Sequence, residues 1–244
     1  MKEVFKNKKH NLLIPYLTAG DPDLETTKVL IEKLAGLGVD AIEIGVPFSD
    51  SLADGPTIVE SHLRALTNGT TLPKIFSMVT DIRKKVSVPI FLMLAYNLIF
   101  KFGIEKFVAE AQKADISGYI IPDLPPEETP HILAPTYLVA PTTIDSRLQD
   151  IVSKSNHFVY LVSTTGVTGK RKQLPKGLGE FVKKVKKETA KPVLVGFGIS
   201  NEVQAQSISS YADGVIIGSA FVEKVHKDLS EAMDFIAKIR NALQ

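Results

Sequence analysis

The chain has 244 residues, 44% hydrophobic and 23% charged, with a formal net charge of +2 and no cysteine. That length supplies a sizeable core, and ordinary apolar content with a small net charge excludes disorder. The charge balance argues against a nucleic-acid binder, which carries a basic stripe, and the lack of cysteine removes disulfides, thiol chemistry and cysteine-held metals.

The basic stretch 1–10 leads into no apolar signal-peptide core. The longest uncharged stretch, 86–100, is shorter than the roughly 18 residues of a spanning helix and holds Pro89 and Asn97. No membrane span is expected, and the default is a cytoplasmic protein. Short apolar runs then recur at 12–19, 40–46, 89–95, 118–122, 136–141, 158–163, 192–197 and 214–218. Several are near-continuous Val, Ile and Leu, the pattern of parallel strands covered on both faces. Helical spacing lies between them, in Leu30, Leu34 and Leu37, in 181–189, and in Leu229, Met233 and Ile236. Lys183, Lys184, Lys186 and Lys187 read as the wet face of the second of these. Three segments, 39–45 (VDAIEIG), 114–121 (ADISGYII) and 212–218 (ADGVIIG), share one shape: a helix end, an Asp turn, then a buried strand. Eight such strands with intervening helices predict an α/β fold, a (β/α)8 TIM barrel in one domain spanning 1–244; a doubly wound sheet is the runner-up. Polar groups at the C-terminal strand ends are then the candidates for chemistry.

The second strand and the loop after it stand out. Side chains alternate along a strand, so Ala41, Glu43 and Gly45 share one face and Ile42, Ile44 and Val46 the other. The apolar set should face the helices, placing Glu43 inside the barrel near its mouth. Desolvation there raises a carboxyl pKa, which suits a group that gives and takes protons near neutral pH. The alternative is a Glu paired with an interior Lys or Arg, and the other predicted strands carry none. Asp54, before Pro56, is either a second carboxylate over the same mouth or the cap of the next helix; Asp50 has similar standing. Glycines at 196–200 (GFGIS), at Gly218 followed by Ser219, and at 165–169 let backbone N–H groups approach an anion. Together they favour a phosphate-bearing ligand, with 165–172 as a lid. The five histidines show no ligand spacing and no strand carries a Schiff-base lysine, so no metal is expected and the chemistry falls to carboxylates.

Six segments, 16–22 (YLTAGDP), 42–50 (IEIGVPFSD), 53–56 (ADGP), 122–128 (PDLPPEE), 166–169 (GVTG) and 196–200 (GFGIS), resemble the tryptophan synthase alpha chain in order and nearly end to end. The resemblance implies a barrel that cleaves indole-3-glycerol phosphate to indole and glyceraldehyde 3-phosphate without metal or Schiff base. It implies Glu43 as general acid/base and Asp54 as the carboxylate that holds the indole N–H. Phosphate would be held at Gly169, Gly198, Gly218 and Ser219. Tyr16, Tyr160 and Phe197 would lie close to the ligand, and Thr168 would be the lid residue that contacts the aspartate. It further implies a pyridoxal-phosphate beta chain as partner, in a complex of two alpha and two beta chains, with no cofactor in this chain. The loop around Asp50 and Ser51 and the region 98–102 would meet that partner. Leu98, Ile99, Phe100 and Phe102 are read either as an interface patch or as the core face of the next helix.

Three departures accompany the resemblance. Ser51 stands where the family usually has proline, Ala95 where it usually has an aromatic, and 129–135, with Pro130 and Pro135, leaves little room for the usual helix between strands four and five, so that segment should be nearly helix-free. They motivate an alternative, a barrel retained only to activate the beta chain. A sugar-phosphate isomerase or epimerase is the third reading.

Overall fold

The computed structural model describes residues 5, 10–51, 54–163, 174–196 and 198–244. Eight strands alternate with helices: β1 (Leu12–Thr18), β2 (Ile42–Gly45), β3 (Ile90–Met93), β4 (Gly118–Ile120), β5 (Leu138–Val139), β6 (Val159–Val162), β7 (Val193–Gly196) and β8 (Gly214–Ile217). The helices are α1 (Leu24–Gly36), α2 (Pro56–Thr67), α3 (Leu72–Ile82), α4 (Tyr96–Phe102), α5 (Ile104–Lys113), α6 (Asp145–Lys154), α7 (Leu178–Lys187), α8 (Glu202–Ser209), α9 (Ser219–Lys227) and α10 (Leu229–Ala242). Each expected strand is found, one to four residues shorter in all.

All strands are parallel, in the order β4-β3-β2-β1-β8-β7-β6-β5. The two outer strands meet through a parallel bridge between Ile120 and Thr136, where the Thr136 N–H donates to the Tyr119 carbonyl at 2.8 Å. That bridge closes the sheet into a (β/α)8 barrel and disposes of the doubly wound alternative, whose sheet keeps two open edges. The connection between β4 and β5 is helix-free, as Pro130 and Pro135 require. Ile121, Leu124, Leu133 and Tyr137 along this stretch are all buried in the outer core.

The alternation along each strand sorts side chains into two cores. Leu12, Ile14, Ala41, Phe91, Phe158, Tyr160, Leu194 and Ile216 fill the barrel. Leu13, Ile42, Ile44, Leu92, Val159, Leu161, Val193 and Val215 pack outward against the helices. The helix readings hold as well: Leu30, Leu34 and Ile236 are buried, and Lys184 and Lys186 of α7 reach outward to Asp145 and Asp213.

The repeated Asp turn acquires a physical meaning here. Asp40, just before β2, accepts the Leu13 N–H of β1 at 2.9 Å. Asp213, just before β8, accepts the Val193 N–H of β7 at 2.8 Å. Each aspartate thus ties a strand's start to the strand before it. Asp40 is buried and also receives Arg240 of α10 at 2.8 Å, while Arg240 donates to the Asn11 carbonyl at 2.7 Å.

Candidate active site

Glu43 lies on the inner face of β2, in register with Tyr16 of β1 and Phe91 of β3. It is fully buried, and neither carboxyl oxygen has a hydrogen-bond partner among the described residues. Burial, reinforced by the nearby Asp54 charge, pushes its pKa from 4.5 up to about 8. An interior ion pair, the alternative left open by the sequence, is not formed among the described residues.

Two tyrosines flank this carboxyl, each seated over a glycine of the next strand. A Cβ on Gly45 would overlap the Tyr16 hydroxyl, and one on Gly196 would overlap the Tyr160 ring. Gly196 therefore makes room for Tyr160. Both hydroxyls are pushed well above the usual tyrosine range, chiefly by burial, and both sense Glu43 and Asp54.

Asp54 sits in the loop between β2 and α2, where the Ser51 hydroxyl donates to its Oδ2. The α2 N-cap is Gly55, with no side-chain cap, so Asp54 is not the helix cap. Its carboxylate instead lines a cavity of about 440 Å³ at the C-terminal mouth, with Tyr16, Val46, Phe48, Asp50, Ser51, His62, Met93, Ala95 and Asp123 among the walls. Apolar walls with a few converging polar groups are the usual build of a small-molecule site. Ala95 adds one methyl to that wall; its neighbour Tyr96 packs on the outer core instead.

His62 is the residue that the sequence reading missed. It is buried on α2 and accepts the Phe48 N–H on Nδ1 at 3.4 Å, and its Nε2 lies 3.1 Å from the Tyr16 hydroxyl. Burial holds its pKa below the usual histidine range, against the pull of Asp54. The signal was present: Ile58, Ser61, His62 and Ala65 form the inward stripe of α2, and two polar residues on a buried stripe at the barrel mouth mark a polar site.

The glycines expected to meet an anion lie after β7 and β8. Gly218 is the N-cap of α9 and brings no side-chain oxygen, which leaves the first-turn N–H groups around Ser219 open. The N-terminus of α8 differs, because the Asn201 side chain accepts from Gln204 N at 2.9 Å. Gly198, half-buried after β7, has φ +78°, a conformation that suits glycine. Thr168, Gly169 and Phe197, with the rest of the expected lid, lie outside the described residues. Among the described residues no group of three or more His, Asp or Glu could hold a metal, and no helix is long and apolar enough to cross a membrane.

The 98–102 region divides between its two readings. Ile99 is buried, Leu98 and Phe102 pack on the outer core, and Phe100 alone is 68% exposed. The core-face reading holds for three of the four residues.

The family model described as tryptophan synthase alpha chain matches residues 2–244. The tryptophan synthase alpha chain of Geotalea daltonii is 48% identical over 90% of this chain and 86% of its own. That of Dehalococcoides mccartyi is 43% identical over 96% of each. Among solved structures, Mycobacterium tuberculosis tryptophan synthase superposes with a TM-score of 0.89 at 33% identity, covering 96% of this chain and 93% of the other. With that breadth of match, the chain belongs to the tryptophan synthase alpha chain family.

Proposed function

We propose that Glu43 and Asp54 carry this family's reaction, the cleavage of indole-3-glycerol phosphate to indole and glyceraldehyde 3-phosphate. The chain is a carbon–carbon lyase of tryptophan biosynthesis. The observation that supports Glu43 is its dry, unpartnered carboxyl inside the barrel, raised to about 8. At pH 7 such a group is mostly the acid. It gives its proton to the indole carbon that carries the glycerol chain, and positive charge develops on the ring nitrogen. Asp54 meets that N–H and stabilises the charge. Glu43, now a carboxylate, takes the proton of the adjacent glycerol hydroxyl as the carbon–carbon bond breaks. The aldehyde forms, the bond's electrons return to the ring, and Glu43 ends the cycle protonated. One buried carboxyl thus serves both proton transfers without metal or Schiff base.

Phosphate is held by backbone groups at Gly198, Gly218 and Ser219, joined by Gly169; Tyr16, Tyr160, Thr168 and Phe197 complete the ligand contacts. The whole of 1–244 works as one barrel domain in the cytoplasm. Its partner is a tryptophan synthase beta chain, two of each per complex, with pyridoxal phosphate on the beta chain alone. The activator reading has no observation in its favour, and membership of the family removes the isomerase reading.

Indole release from indole-3-glycerol phosphate tests the proposal. Release should rise strongly when a tryptophan synthase beta chain is added. No release with the beta chain present overturns the assignment. Gly198→Asp tests the phosphate site separately. It forces a side chain into a left-handed turn and sets a carboxylate against the anion, a juxtaposition worth several kcal/mol. Affinity for glycerol phosphate, read by calorimetry, should fall roughly a hundredfold, while Gly198→Ala shows the share due to backbone strain. Unchanged affinity in Gly198→Asp would place the phosphate elsewhere.

A further inference from the structure

The hydrogen bonds around Tyr16 have only one consistent direction. Phe48 N–H donates to Nδ1 of His62 at 3.4 Å, so the neutral ring carries its proton on Nε2 and donates it to the Tyr16 hydroxyl 3.1 Å away. At the far end the Ser61 hydroxyl donates to the Ile58 carbonyl at 2.7 Å. Ser61 therefore accepts from Thr18, 2.6 Å away, and Thr18 accepts the remaining proton, that of Tyr16, at 3.4 Å. The chain Phe48–His62–Tyr16–Thr18–Ser61–Ile58 is fully assigned, and it is buried from His62 onward. Its central hydroxyl belongs to the register partner of Glu43, yet it points along the chain and leaves both Glu43 oxygens unpartnered.

We propose that His62 is a positioning residue for the lyase reaction: its Nε2–H holds the Tyr16 hydroxyl toward Thr18 and so keeps the Glu43 carboxyl free of a donor. The inference rests on the assignment of Glu43 above. Without the His62 donor, the Tyr16 hydroxyl is released to turn toward the Glu43 carboxylate, its register partner, whose charge it already senses. A hydrogen bond to the ionised form stabilises that form and weakens Glu43 as an acid at neutral pH. Groups facing His62 are Tyr16 from β1, Asp21 with its partner Arg64, and Asp54 from the loop before α2. Those facing Glu43 are Asp54, Tyr16 and Tyr160.

Two substitutions separate the two ends of the imidazole. His62→Asn keeps an acceptor for Phe48 but withdraws the donor from Tyr16; His62→Gln keeps a donor within reach of Tyr16. In the complex with the beta chain, His62→Asn should lower kcat for indole release about tenfold at neutral pH with KM within about twofold. It should also move the alkaline limb of the pH profile down by about one unit. His62→Gln should recover most of the rate and the wild-type limb. Against a Tyr16→Phe background, His62→Asn should have no further effect. A loss shared equally by Asn and Gln, or one that adds to Tyr16→Phe, would reduce His62 to a packing role and overturn the inference. Nitrogen NMR of wild type supplies a readout independent of turnover, since the structure requires the Nε2–H tautomer. An Nδ1–H tautomer also overturns the inference, whereas a wild type that releases no indole overturns the reaction assignment instead.

Discussion

Glu43→Gln should lower indole release by at least about 10²-fold and as much as 10⁴-fold, the usual contribution of a positioned acid/base. Glutamine keeps the shape of the side chain and the fold around it but can neither give nor accept the two protons. Wild-type activity should be constant near pH 7 and fall as pH rises through about 8, where the buried carboxyl loses its proton. The residual activity of Glu43→Gln should lack that limb. Stability should move the same way. Glu43 has a folded pKa above its unfolded value, so its favourable contribution is complete below about 4.5 and is lost as pH rises through about 8. The unfolding free energy of Glu43→Gln, which has no such titration, should therefore gain on that of wild type across this window. Near-wild-type turnover in the variant, or a stability difference that does not change with pH, would remove Glu43 from its role.

How far this site was legible depends on how local each signal is. The alternation in 40–46 places Glu43 inside the barrel because a period of two along one strand decides the face. The apolar runs identify all eight strands because parallel strands buried on both faces need near-continuous Val, Ile and Leu. Pro130 and Pro135 announce a helix-free connection for the same local reason. What escaped are relations between strands. That Tyr16 leans over Gly45 and Tyr160 over Gly196 follows from the tilt of neighbouring strands, which no single segment encodes. Gly196 accordingly packs against an aromatic ring. Ser51 was read only as a departure at a partner-facing loop, yet its hydroxyl grips Asp54. His62 has no metal-ligand spacing to the other histidines, so nothing local marks it. The pattern it obeys is the buried stripe of α2.

Arg240→Ala should cost about 3–5 kcal/mol of stability, the range for breaking a buried ion pair by removing one partner. The guanidinium is 8% exposed and the Asp40 carboxylate 1%. Truncation leaves that carboxylate buried without its guanidinium and orphans the Asn11 carbonyl that Arg240 also reaches. The residues are 200 positions apart, so the pair fastens the last helix to the start of the barrel. For a chain of this size each kcal/mol moves the melting temperature by roughly 2–4 °C, and a fall near 10 °C is expected. Asp40→Asn combined with Arg240→Met should be less damaging than the sum of the two changes, because no lone charge stays buried. Catalysis should be spared. Asp40 and Arg240 lie at the N-terminal end of the strands, the face that serves stability in these barrels, while Glu43 and Asp54 lie toward the other. At a temperature where Arg240→Ala remains folded, its kcat for indole release should match wild type within about twofold. Full stability in the variant would show the pair to be dispensable, and a large fall in kcat without unfolding would show that the two ends of the barrel are coupled.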